Sequence, residues 1–201
     1  MEGGRPAAES GTDSRHDAEQ PLRGKSAWLL RGGLIGIAVL IALVTWAVTR
    51  GDDEGAPALA GEGARIVSEE ELVEAAGRLG QPIYWAGPMD GSEVELEELG
   101  EGGVRVRYVP AGSKAGEAPA EALTIGSYLL ADPSGALEQF AAEPGAVTER
   151  GENGVEVVTS EEQPTSVYFV DPEDTVQVEV YDPSAGKAME LAVSGKVQPA
   201  E

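Results

Sequence analysis

The sequence predicts an α+β protein: a disordered N-terminal tail and a single transmembrane helix, then one extracytoplasmic domain of antiparallel sheet with about three helices. Three observations predict it. Residues 32–49 form an apolar run without charge. The residues after this run contain segments of alternating apolar and polar residues, which are typical of strands, and amphipathic segments with helix-capping signals. Two pairs of strand-like segments are joined by glycine-containing turns, as in β-hairpins.

The apolar run predicts a membrane-spanning helix over residues 27–49. The 18 uncharged residues would rise about 27 Å as a helix, close to the roughly 30 Å hydrocarbon layer of a bilayer. Trp28 and Trp46 lie 18 positions apart, which would place the two indole rings at opposite membrane interfaces. Arg31 lies one turn inside Trp28 and can extend to the headgroups. Trp28, Arg31 and Trp46 are therefore the predicted membrane anchors.

Basic residues near the span predict its orientation. Four precede it and two follow it: Arg15, Arg23, Lys25 and Arg31, then Arg50 and Arg65. Positively charged flanks stay in the cytoplasm, so the N-terminus is predicted to lie inside and the C-terminal domain outside the cytoplasmic membrane. A cleaved signal peptide is the alternative, but its apolar core usually has only about 7–15 residues.

Small residues within the span raise the question of a dimer. Gly32 and Gly36 form a Gly-x-x-x-Gly pair at the cytoplasmic end. Small residues at this spacing let two helices approach closely. A homodimer through Gly32 and Gly36 is therefore the alternative to a single, unpaired span.

Composition predicts the boundaries of the segments on either side of the span. Residues 1–26 contain few apolar side chains and show no periodicity, which predicts a disordered cytoplasmic tail. Residues 50–64 are rich in glycine, alanine and acidic residues, which predicts a flexible acidic linker. The extracytoplasmic α+β domain is predicted over residues 65–197, and residues 198–201 are predicted to be a disordered C-terminus.

The first element of this domain is a helix with clear end signals. Ser68 is the expected N-cap, and Glu71 occupies the reciprocal position of a capping box. Gly80 marks the expected end of the helix. Its apolar face, which should lie on a sheet, consists of Leu72, Ala75, Ala76 and Leu79.

A hairpin follows in which charged and apolar residues alternate on both strands. Centring its turn on Glu101 places Glu97 opposite Arg105 and Glu95 opposite Arg107. The same register places the apolar residues opposite one another on the other face. The pattern predicts one ionic, solvated face and one apolar, buried face.

The remaining elements have weaker signals. Residues 110–122 have no pattern and are predicted to form a loop. The expected elements after it are a strand at 123–130, a helix opened by Asp132 and Pro133, a hairpin over 146–149 and 155–159, strands at 167–170 and 176–181, and a helix opened by residues 182–184.

An internal similarity predicts that the domain consists of two related halves. Residues 83–96 align without gaps on residues 167–180, and the order strand, Asp-Pro-Ser, helix occurs twice. Chance is the alternative explanation, because short strand-turn-strand patterns recur in unrelated sequences.

The aligned segments contain the only candidate binding residues: Tyr84, Trp85, Tyr168 and Phe169. Adjacent residues of a strand face opposite ways, so each aromatic pair should place one ring on each face of the sheet. If the outward rings cluster, they form an exposed patch suited to a sugar or a polypeptide. The alternative is that helices and loops cover both faces.

Charge and missing residue types exclude several function classes. Residues 50–201 contain 31 carboxylates and nine basic side chains, and they carry the entire net charge of −22. This charge disfavours binding to nucleic acid. The only histidine, His16, lies in the tail, and the chain has no cysteine, which excludes thiol enzymes and zinc sites with these ligands in the domain. We predict no cofactor and no metal site, since the acidic runs 52–54 and 171–174 match no defined ion-binding loop.

The layout resembles that of single-pass envelope proteins of bacteria. It predicts a non-catalytic binding or accessory module, held in the lipid bilayer by one helix and binding an envelope ligand or protein. The alternative is a carboxylate-dependent hydrolase of cell-wall glycan, which would need two carboxylates facing each other across a cleft.

Overall fold

A computed structural model describes residues 63–173 and 175–201. These residues form an α+β domain with an eight-stranded antiparallel sheet, a two-stranded sheet and three α-helices, which confirms the predicted class of the domain. No helix among the described residues has the length and apolar character needed to cross a bilayer. The predicted tail, span and most of the linker lie outside the described residues, together with Trp28, Arg31, Gly32, Gly36 and Trp46.

The strands are β1 (Arg65–Val67), β2 (Tyr84–Trp85), β3 (Ser92–Glu98), β4 (Gly103–Pro110), β5 (Thr124–Leu129), β6 (Ala146–Arg150), β7 (Glu156–Ser160), β8 (Gln163–Val170), β9 (Val176–Tyr181) and β10 (Gln198–Pro199). The helices are α1 (Glu69–Leu79), α2 (Pro133–Ala141) and α3 (Ala185–Val193). The large sheet has the order β1-β3-β4-β5-β9-β8-β7-β6, and β2 pairs with β10.

The end signals of α1 act as predicted. The Ser68 hydroxyl accepts a hydrogen bond from the Glu71 amide, and the Glu71 carboxylate accepts one from the Ser68 amide. Gly80 ends the helix with a φ of 69°, which glycine adopts at little cost. Leu72 and Ala75 are buried in the core. Strand β1, which directly precedes this helix and pairs with β3, was not predicted from the sequence.

The register of the first hairpin is also as predicted. Glu97 lies opposite Arg105 and Glu95 opposite Arg107 in the β3–β4 pair. The turn between them is a short 3-10 helix, Gly100–Gly102. Alternation of charged and apolar side chains therefore divides these strands into two distinct faces.

The two faces of the large sheet have different coverings. The apolar face packs against α1, α3 and the small β2–β10 sheet, and it holds most of the buried side chains. The opposite face contacts α2 through Leu137 and Phe140, which pack on Val158 and Tyr168. Beyond α2, the loop of residues 111–123 reaches this second face through its backbone amides.

Two meanders, β3-β4-β5 and β7-β8-β9, meet at the β5–β9 pair in the centre of the sheet. An Asp-Pro-Ser sequence and a helix follow the last strand of each, at residues 132–134 and 182–184. The gapless alignment of residues 83–96 with 167–180 does not follow this arrangement. It equates β2, in the small sheet, with β8, in the large one, so the aligned residues are not structurally equivalent.

The C-terminus also differs from the prediction. Gln198–Pro199 forms β10 and pairs with Tyr84–Trp85. The Ala200 amide donates a hydrogen bond to the Ile83 carbonyl at 2.9 Å. The expectation of a disordered segment over residues 198–201 was therefore wrong, because a strand of two residues gives no periodic signal in a sequence.

Candidate functional site

The four aromatic candidates are buried and form no exposed patch. Tyr84 and Phe169 meet edge to face in the main core, with ring centroids 5.6 Å apart. Tyr168 lies on the other face and packs on Phe140 of α2, with centroids 5.5 Å apart. Trp85 is 5% exposed. The expectation of an outward aromatic cluster was wrong because α2 covers the second face, as the alternative interpretation required.

Asp171, in the acidic run considered for an ion, instead holds the turn between β8 and β9. Its carboxylate accepts hydrogen bonds from the amides of Glu173, Thr175 and Val176 and from the Thr175 hydroxyl, at 2.6–3.2 Å. Both oxygens are therefore occupied by the turn itself. Within residues 63–173 and 175–201, no three acidic or histidine side chains converge as a metal site would require.

The second face of the large sheet carries a row of polar side chains. Glu97, Arg105, Gly126, Glu179 and Tyr168 lie side by side on β3, β4, β5, β9 and β8. Side chains in one row of a sheet are direct neighbours. The strand order therefore brings together residues that are up to 82 positions apart in the chain.

Ion pairs connect Glu97 and Arg105, at the β3 end of this row, with Arg107 and Glu95 in the next row. Nη2 of Arg107 lies 2.7 Å from Oε1 of Glu95 and 3.1 Å from Oε2 of Glu97. Nη1 of Arg105 lies 3.3 Å from Oε2 of Glu97. The closest pair of the three is therefore Arg107 and Glu95.

These charges are buried, which corrects the predicted solvated face. The side chains of Glu95 and Glu97 are 0% and 3% exposed. The Gly116 amide donates a hydrogen bond to Glu95, and the Gly112 amide donates one to Glu93 at 2.9 Å. The loop of residues 111–123 therefore supplies backbone donors to the carboxylates of β3.

Glu179 lies at the centre of the row and is held by two tyrosines. The Tyr168 hydroxyl donates to its Oε1 at 3.1 Å, and the Tyr128 hydroxyl donates to its Oε2 at 3.3 Å. Burial raises the pKa of Glu179, and its hydrogen bonds with Ser166, Tyr168 and Tyr128 and the charge of Arg105 only partly oppose the shift. Burial also raises the pKa of Tyr128 and Tyr168, so both phenols stay protonated as donors.

Gly126 makes this geometry possible. A Cβ atom at this position would lie 2.4–2.5 Å from the ring and hydroxyl oxygen of Tyr128. Tyr128 therefore lies back along its own strand, over Gly126, and reaches Glu179 on the neighbouring strand. This group of residues was not predicted from the sequence, although a glycine two residues before a tyrosine within a strand is a usable signal.

The arrangement of this network indicates a structural role. A carboxylate pair that cleaves glycosides needs two carboxyl groups that reach the substrate, about 5–9 Å apart. Here Glu95 and Glu97 are buried against arginines, and Glu179 is buried between tyrosines. The network therefore joins five neighbouring strands and presents no exposed acid to a substrate.

No family model, curated protein or solved structure matches this chain. Function is therefore inferred from the surface of the domain. Exposed carboxylates are spread over the described domain, and two groups of them lie in the first turn of α1 and in or beside the β6–β7 hairpin. They are Glu69, Glu70 and Glu71 on α1, and Glu149, Glu152, Glu156, Glu161 and Glu162 in and beside the hairpin.

Proposed function

We propose that this chain is a single-pass protein of the bacterial cytoplasmic membrane whose acidic domain lies on the extracytoplasmic side. The domain acts as a non-catalytic module that binds an envelope ligand or protein. The observation that carries the proposal is the division of the carboxylates. The carboxylates of the polar row are buried with arginine or tyrosine partners, whereas other carboxylates, including those of the first turn of α1 and of the β6–β7 hairpin, are exposed.

The membrane part of the proposal rests on the uncharged run of residues 32–49 and on its flanking charges. Treating intact spheroplasts with protease tests it. We expect the domain to be digested without lysis, and the protein to resist extraction by alkaline carbonate. A variant lacking residues 27–49 is the control and should no longer sediment with membranes. Digestion that requires lysis would refute the proposed orientation.

The non-catalytic part of the proposal is tested against the hydrolase alternative. Full-length protein in nanodiscs is incubated with purified cell-wall glycan, and new reducing ends are measured. We expect no release above a protein-free control. Release that disappears in Glu97→Gln or Glu179→Gln, while circular dichroism shows an intact fold, would establish the hydrolase instead.

A further inference from the structure

Among residues 63–173 and 175–201, strand β6 forms one edge of the large sheet and pairs with β7 alone. The Glu161 amide donates to the Gly145 carbonyl, and the Gly151 amide donates to the Val155 carbonyl. Antiparallel pairs alternate between hydrogen-bonded and non-hydrogen-bonded positions. The backbone groups of Val147 and Glu149 therefore face β7, and those of Thr148 and Arg150 point away from the sheet.

This edge lacks most of the features that usually prevent strand addition. Edge strands are commonly protected by shortness, by proline or by a bulge. The opposite edge, β1, has three residues, whereas β6 has five and contains no proline. Its pairing with β7 is regular, and the irregularity in this region lies between β7 and β8. Residues 147–150 are all exposed.

Charge decides which kind of chain could pair with this edge. Residues 143–162 contain six glutamates and a single basic residue, Arg150, and five of these glutamates are exposed. This charge repels a second copy of the hairpin and the acidic linker at residues 50–64. It attracts a segment with lysine or arginine side chains.

We propose that the outer edge of β6 binds an extended, lysine- or arginine-rich polypeptide segment, which adds a strand to the sheet. The backbone groups of Thr148 and Arg150 supply the main-chain hydrogen bonds, and the glutamates of the hairpin select the basic side chains. The inference rests on the proposed function as a binding module and names the class of its partner.

The test uses full-length protein in nanodiscs of uncharged lipid and a labelled, end-capped peptide of alternating lysine and valine. We expect saturable binding by fluorescence anisotropy that weakens as salt is added. The amides of Thr148 and Arg150 should exchange hydrogen more slowly in the complex. Peptides with glutamate in place of lysine, or with methylated backbone amides facing β6, should not bind.

Variants of the chain separate the contribution of the glutamate charges from that of the main-chain hydrogen bonds. Glu149→Gln with Glu156→Gln should weaken binding by about threefold for each charge removed. Glu69→Gln with Glu70→Gln removes the same charge from α1 and should leave the affinity unchanged. Thr148→Pro removes an outward-facing donor from an edge strand, where proline is tolerated, and should abolish protection of Arg150.

Three results would overturn the inference. They are the absence of peptide binding, binding without protection of Thr148 and Arg150, and self-association of the protein that Thr148→Pro abolishes. The last would identify a second copy as the partner of the edge. If Thr148→Pro unfolds the domain, the peptides with methylated backbone amides replace this variant as the test of main-chain hydrogen bonding. If the first of these results is accompanied by an envelope ligand that binds elsewhere on the domain, the β6 inference is refuted and the proposed module remains intact.

Discussion

Glu95 on β3 lies directly opposite Arg107 on β4, with 2.7 Å between Oε1 of the one and Nη2 of the other. The glutamate side chain is fully buried, and the arginine side chain is 16% exposed. Each charge stabilises the other in this buried position, because Glu95 without Arg107 would be a buried carboxylate without a counter-ion, and Arg107 without Glu95 would keep only Glu97 as a partner.

Replacing one partner of this pair should therefore be costly. We expect Glu95→Ala to reduce the free energy of unfolding by about 3 kcal/mol, because it removes one of the two carboxylates that neutralise Arg107. Glu98→Ala is the matched control on the same strand. Glu98 pairs with Arg65 and Arg78 near the surface, so its loss should cost less than about 1 kcal/mol. Urea unfolding followed by circular dichroism measures both, and equal losses would contradict the interpretation.

Gly126→Ala should destabilise the domain by about 1–3 kcal/mol, because the new Cβ atom would overlap the ring of Tyr128. Gly77→Ala is the control, and it should change the stability in the opposite direction. Gly77 lies within α1 with no atom near the position of a Cβ, so alanine should stabilise the helix by about 0.5–1 kcal/mol. The double variant Gly126→Ala, Tyr128→Ala should lose less stability than the sum of the two single changes. Additive losses would show that the two residues are independent.

Stability should depend on pH through Glu179, whose pKa is raised in the folded state from its ordinary value of 4.5. A raised pKa means that the folded chain binds the proton more tightly than the unfolded chain. The resulting stabilisation is complete below the ordinary value and is lost as the pH rises through the folded-state value. We expect Glu179→Gln, which cannot ionise, to gain stability relative to the unmodified chain as the pH rises from 4.5. The free energies of unfolding of both proteins are measured by urea titration at several pH values. A difference between them that stays constant with pH would refute this prediction.

The two N-cap serines should respond differently to the same substitution. Ser68 makes both hydrogen bonds of a capping box, whereas Ser184, the N-cap of α3, makes no side-chain capping bond. Ser68→Ala should therefore lower the unfolding free energy by about 1 kcal/mol, and Ser184→Ala should change it little. Thermal unfolding of the two variants measures the difference, and a larger effect at Ser184 would contradict the assignment.

Local features of the fold could be predicted because their signals lie within a few residues. Ser68, Glu71 and Gly80 specify the ends of α1 through adjacent backbone groups. Alternation and the glycine-rich turn specify the register that places Glu97 opposite Arg105. The strand signal at residues 167–170 was real but incomplete, because β8 starts at Gln163.

The candidate site was harder to predict because its burial depends on distant parts of the chain. Alternating Glu95 and Glu97 have the pattern of a solvated face, and only the contact with Gly116 shows that a loop lies over them. The tyrosine pair around Glu179 depends on β5 and β8 flanking β9, an order that turn signals do not specify. The burial of Tyr168 could not be predicted, because no signal in the sequence placed α2 over its strand.

The position of β1 has a mechanical consequence. The chain enters the described domain at β1, and the open strand β6 is at the far edge of the same sheet. At about 4.8 Å between neighbouring strands, roughly 34 Å separates these edges. In the proposed arrangement, tension between the anchor and a partner held at β6 passes through all eight strands in series. The weakest interstrand ladder would then set the force at which the connection fails.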